Sequence, residues 1–329
     1  MSRTVMDTTP PSPPGPAAPD PAPAPPPLPL FPAPPRAPRN RLLAVFVGPD
    51  GVHAAVRWLL YLFMGAVTLF ALGALAHAIR PRQTPVWWGM VSQVVVVAAA
   101  ILPAYVMALI EGRPFSAFGL PWRNAFRRNF WLGALWGMAW LTVLMLALRL
   151  AGAFSFGSLA LHGASIVKYG IYYVVYFVFT GFFEEFTTRG YSQWVLTRAV
   201  NFWPAAASLS FLFGLAHSGN SGESKVGLLA AGLIGFFFCL TLRRTGDLWW
   251  AIGFHMSWDW GESYLYSVPD SGGMMRGHLL YSSFRGSDWL TGGTVGPEGS
   301  LLVFAVIVAM WVLFDRRYPD VKWKGDGNC

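Results

Sequence analysis

Eight apolar stretches, separated by short polar or glycine-rich segments, run through the chain at about 55–79, 86–110, 130–150, 167–197, 203–220, 225–243, 247–266 and 300–314. Most approach the roughly 20 residues a helix needs to cross the hydrocarbon core of a bilayer. The pattern predicts an all-α fold: a polytopic transmembrane helix bundle of about eight spans. The fourth stretch is long for one span, and the fifth and seventh are short. Between the seventh and eighth, residues 267–299 are rich in Gly and Ser and carry Asp270, Arg276, Arg285, Asp288 and Glu298. This predicts a non-helical loop on the outer side, placed to fold back over the bundle.

Residues 1–40 break the pattern, because they hold 16 of the 26 prolines and no apolar run. They predict an extended, disordered tail. The chain thus divides into a Pro-rich tail, 1–40, and a transmembrane domain, 41–329.

Composition sharpens the picture. Of 329 residues, 54% are hydrophobic and 12% charged, about half the charged fraction of a typical soluble domain. Lipid is therefore the expected partner of most of the surface. The net charge of +8 does not predict nucleic-acid binding, since its Lys and Arg lie in short segments between apolar stretches. With the N-terminus in the cytoplasm, Arg36, Arg39, Arg41, Arg113, Arg123, Arg127, Arg128, Arg198, Arg243, Arg244, Arg316, Arg317, Lys322 and Lys324 fall inside. Arg80, Arg82, Lys168, Lys225, Arg276 and Arg285 fall outside. That asymmetry predicts a plasma (inner) membrane protein with both termini cytoplasmic, and Arg80 with Arg82 is the pair that runs against it. Cys239 and Cys329 sit in no metal-ligand or CxxC spacing and read as inert thiols.

Ionisable side chains inside spans cost roughly 2.5–3.5 kcal/mol each on insertion scales, so their clustering needs a reason. The fourth stretch carries Glu184, Glu185 and Arg189 within two helical turns. Positions i and i+4 share a face, which pairs Glu185 with Arg189 and leaves Glu184 aimed elsewhere, free to act as a base. The fifth stretch ends with Phe213 and His217 on one face, and the seventh supplies His255 and Asp259, again four apart. At 1.5 Å per residue, Glu184 and His217 each lie roughly 21 Å from a span end and so meet at one level in antiparallel helices. His255 lies only roughly 12 Å from Asp247. Its helix therefore starts deeper, or the histidine sits on the cytoplasmic side of the site.

These three motifs, in this order, resemble the type 2 CAAX prenyl endopeptidases and the Abi or bacteriocin-processing membrane proteins, a family abbreviated CPBP. EExxxR is met by Glu184, Glu185 and Arg189, FxxxH by Phe213 and His217, and the HxxxN or HxxxD motif by His255 and Asp259. The stretches 210–217, 245–255 and 288–293 are also similar to the family. The resemblance covers about 170–300 and sets a protease-like core at about 167–315. Two positions depart from the pattern: Thr188, where relatives usually carry an aromatic residue, and Asp259, where many carry asparagine.

The resemblance implies an intramembrane endopeptidase acting on a membrane-associated peptide or protein, with Glu184, Glu185, His217, His255 and Asp259 as catalytic candidates. In a metal-free route Glu184 deprotonates a water oriented by His217, while His255 and Asp259 stabilise the former carbonyl oxygen. In a metalloprotease route His217, His255 and Glu184 hold zinc with an open position for water. The alternative reading is a non-catalytic membrane scaffold, immunity factor or transporter that keeps the polar cluster for packing or ion passage.

Overall fold

The computed structural model describes residues 47–48, 51–323 and 325. The proline-rich tail and Cys329 lie outside the described residues.

Every apolar stretch forms a helix. In chain order these are α1 (Ala54–Ala78), α2 (Gly89–Glu111), α3 (Arg128–Leu150), α4 (Ala164–Arg189) and α5 (Tyr191–Val200). They continue with α6 (Phe202–Ala216), α7 (Lys225–Thr245), α8 (Trp249–Trp260) and α9 (Leu302–Arg317). A π-helical turn, Gly261–Tyr266, prolongs α8. The long fourth stretch is two helices, because at Gly190 the backbone turns to φ −81° and ψ −113°. A side chain there would lie 2.3 Å from the Phe186 carbonyl oxygen, so the break needs glycine. At the start of α7 the Ser224 hydroxyl accepts from the Gly227 N–H, an N-cap that satisfies one free amide of the first turn.

Five helical segments are long and apolar enough to cross a membrane: 54–78, 86–111, 128–150, 164–200 and 225–245. Among the described residues these cover five of the eight predicted stretches. At 1.5 Å per residue, the 15 residues of α6, 12 of α8 and 16 of α9 give lengths of roughly 18–24 Å against a core of roughly 30 Å.

Short helices are tolerated at membrane depth where protein surrounds them, and α8 is the clearest case. Ten of its residues are buried, Trp249 to Phe254 and Met256 to Asp259 among them. Its start lies beneath the 115–124 loop: the Leu248 N–H donates to the Gly119 carbonyl at 2.8 Å and the Trp249 indole to the Pro121 carbonyl at 3.1 Å. Asp247, 2% exposed, accepts from Asn124, Asn129 and the Trp249 N–H.

Its packing is most extensive against α3. Gly133 and Gly137, one turn apart on α3, face the Trp250 and Phe254 carbonyls, and Gly253 answers against the Phe130 carbonyl. Any added Cβ would lie within 1.9–2.4 Å of those backbone oxygens. Small residues at such spacing let two helix backbones touch, which is the main source of association energy where lipid supplies no hydrophobic drive.

The outer faces are apolar and the interior holds the charges. Phe63, Phe70, Leu109, Leu135 and Leu150 are exposed, while Glu185, Arg189, Gln193, Asp259 and Glu262 are buried. Lipid in place of water as the outer solvent explains this inversion. The 267–299 segment folds back over the helices: its strand Ser283–Phe284 pairs antiparallel with Phe154–Ser155, and its two ends reach a cavity between α4, α6, α7, α8 and α9.

Candidate active site

The cavity, of about 420 Å³, is lined by Glu184, His217, His255 and Asp259 together with aromatic and aliphatic side chains of the surrounding helices. Three helices distant in sequence bring these groups together, and two packing features set the geometry.

The first is the contact of α4 with α8. A Cβ on Gly181 would lie 3.0 Å from the His255 Cβ and 3.2 Å from the Ile252 carbonyl oxygen, so glycine at this position lets the helices approach. Above it, the Trp260 indole donates to the Gly170 carbonyl at 3.0 Å and the Tyr264 hydroxyl to the Ile166 carbonyl at 2.6 Å. His255 is thereby set against the adjacent carboxylates of α4.

The second is the buried pair of Glu185 and Arg189. Arg189 Nη1 lies 3.2 Å from both Glu185 oxygens, and both side chains are fully buried. The guanidinium stacks 4.3 Å from the centre of the Phe213 ring. It also fills the space a Cβ on Gly235 would occupy, only 2.3 Å from Nη2. Arg189 thus joins α4, α6 and α7 in one contact.

Glu185 does more than balance a charge. Its Oε1 accepts from His255 Nδ1 at 3.0 Å, which fixes the ring and directs Nε2 the other way. Nε2 lies 3.6 Å from Glu184 Oε2 and 3.4 Å from Asp259 Oδ2. Glu184 is unpaired on its own helix and faces His255 across the α4–α8 contact. With 26% of its side chain exposed, it is the most accessible carboxylate of the pair and opens on the cavity.

His217 reaches the same cavity from the end of α6. Its Nδ1 donates to the Phe213 carbonyl at 2.8 Å, so Nε2 is the nitrogen free for other partners. The Phe213 side chain lies against the His217 ring at 4.7 Å. One phenylalanine therefore positions both His217 and Arg189, which gives the FxxxH spacing a physical meaning.

His217, His255 and Glu184 do not gather as a metal-ligand set. Among the described residues the group whose ligand atoms lie within 4.8 Å of one another is Glu262, Asp270 and Glu298. Asp270 and Glu298 line the same cavity. The sequence reading had put them on an outer loop, and it had passed over Glu262. A glycine-rich loop betrays no partner in its own spacing, so no periodic signal could have joined them.

The fold and the site define a multi-pass helical membrane protein with a carboxylate and histidine cluster in an internal cavity. Residues 166–261 match the family described as type II CAAX prenyl endopeptidase Rce1-like, and the resemblance read from the three motifs stands on that match. The matched segment contains all six motif residues that carry charge or imidazole. No curated protein matches the chain.

Proposed function

We propose that this chain is an intramembrane endopeptidase that hydrolyses a peptide bond at or near the membrane with a water activated by Glu184. The observation that carries the reading is the juxtaposition of Glu184 with His255 on the wall of a cavity that His217 enters from a third helix. Amide hydrolysis needs a base for the water, a group to orient it, and donors for the oxyanion that develops on the carbonyl.

Glu184, the partly exposed carboxylate, takes the proton from the water, and His217 Nε2, on the lining of the same cavity, orients that water. His255 Nε2 donates to the developing oxyanion, held in place by Glu185 at Nδ1 and by Asp259 beside it. Glu185, buried and bonded to Arg189, is a positioning residue in this scheme. Removal of the proton by Glu184 and its return to the leaving amine complete the cycle. In the zinc alternative His217, His255 and Glu184 would hold the ion, and no step here is routed through a metal.

Phe177, Phe183, Phe238, Ile307 and Met310 line the rest of the cavity. Their chemistry suits a substrate with an apolar segment beside the scissile bond, as in a lipid-anchored or membrane-inserted peptide. A plasma (inner) membrane location belongs to the same reading, and the placing of both termini in the cytoplasm rests on the Lys and Arg asymmetry between segments.

The test compares the peptides that accumulate in cells carrying the wild-type protein and Glu184→Ala. The expected result is loss of a defined set of cleavage products, with the variant as abundant and as stable as the wild type. Unchanged products would discard Glu184 as the base, and normal processing in His255→Ala as well would favour the scaffold reading.

A further inference from the structure

Beside the motif cluster lies a second acidic group that the hydrolytic scheme does not use, with Asp270 and Glu298 on the cavity wall and Glu262 buried behind it. Glu262 sits in the π-helical turn after α8, Asp270 at the start of the covering loop and Glu298 at its end. One oxygen from each lies within 4.8 Å of the others. Glu262 is completely buried, and its one nearby donor among the described residues is the Trp258 indole N–H, which leaves the carboxylate without a full set of partners. Among the described residues no Lys or Arg forms an ion pair with any of the three.

A buried carboxylate without a full set of partners is expensive and calls for a compensating group. The two neighbours are already oriented: the Ser263 hydroxyl donates to Asp270 Oδ2 at 2.9 Å and the Ser271 hydroxyl to Glu298 Oε2 at 2.8 Å. Each keeps a second oxygen uncommitted. Three carboxylates and nearby hydroxyls are hard oxygen donors, the set that suits calcium, magnesium or manganese rather than zinc. With calcium–oxygen distances of about 2.4 Å, ligand oxygens on one ion lie about 3.4 Å apart side by side and about 4.8 Å apart across it.

We propose that Glu262, Asp270 and Glu298 bind a hard divalent cation, with calcium as the probe, which fastens both ends of the 267–299 loop to the end of α8 beside the cavity. Its readout is binding and stability, so it stands or falls separately from the peptidase reading.

The test uses the full-length protein in detergent micelles, stripped with EGTA and titrated with calcium chloride or magnesium chloride. Thermal unfolding is followed by tryptophan fluorescence, and bound metal is measured after desalting. The wild type should bind one calcium per chain, and its midpoint should rise saturably by several degrees. Glu262→Gln and Glu298→Gln should each raise the half-saturating concentration at least tenfold. In EGTA, Glu262→Gln should unfold at or above the wild-type temperature, because it removes a charge that lacks a counter-charge. Glu184→Gln, altered in the motif cluster, should keep the calcium response. No calcium-dependent shift in the wild type would overturn the site and indicate carboxyls that share protons instead. An undiminished response in both cluster variants, or a response lost in Glu184→Gln and kept in Glu262→Gln, would overturn it too.

Discussion

Replacing Arg189 with alanine removes the positive member of a pair that has no access to solvent. Both side chains are fully buried, and the guanidinium contacts both Glu185 oxygens and the Phe213 ring. Breaking such a pair from one side costs about 3–5 kcal/mol, chiefly because the remaining charge is left without compensation. The lost stacking on Phe213 adds about 0.5–2 kcal/mol. Set against a total stability of roughly 5–15 kcal/mol, this removes from about a quarter to all of it. The charge explanation makes a sharper statement about the double variant. Glu185→Gln in the Arg189→Ala background removes the uncompensated carboxylate and should recover about 2 kcal/mol, although it deletes a second polar group. Arg189→Lys should fall between, since an ammonium keeps the charge but not the fork that meets two oxygens. Denaturant unfolding of the four proteins in micelles, read by tryptophan fluorescence, gives the comparison. If the double variant is no more stable than Arg189→Ala, the cost lies in lost packing around Phe213 and Gly235, and the charge argument is refuted.

Other expectations follow from particular contacts. Gly133→Leu places a side chain against the Trp250 carbonyl, where even a Cβ comes within 1.9 Å. It should abolish the α3–α8 contact and with it the folded yield, whereas Ala139→Leu, at an exposed position of the same helix, should be far milder; size-exclusion profiles of the two variants decide. Asp247→Ala deletes the acceptor of Asn124, Asn129 and the Trp249 N–H. At roughly 1 kcal/mol or somewhat more per bond to a charged group, the loss should be about 2–4 kcal/mol in unfolding free energy, with Asp247→Asn recovering part of it.

Much of the fold was legible because a membrane helix is a local object. A stretch of some 20 apolar residues must satisfy its own backbone within itself, so residues 54–78 or 225–245 declare themselves without any partner. The same locality makes the Glu185–Arg189 pair readable, since four residues along a helix is a fixed geometry. Gly190 and α8 show the limit. The break in the fourth stretch depends on how close Phe186 comes to a residue lacking a side chain. The burial of α8 depends on glycines more than a hundred positions away on α3. The contact of His255 with both Glu184 and Glu185, and the meeting of Glu262 with Glu298, join segments whose spacing in the chain carries no period. Such distances are set by the packing of whole helices and by the loop folded over them, and so the tertiary structure alone decides which charges share a cavity.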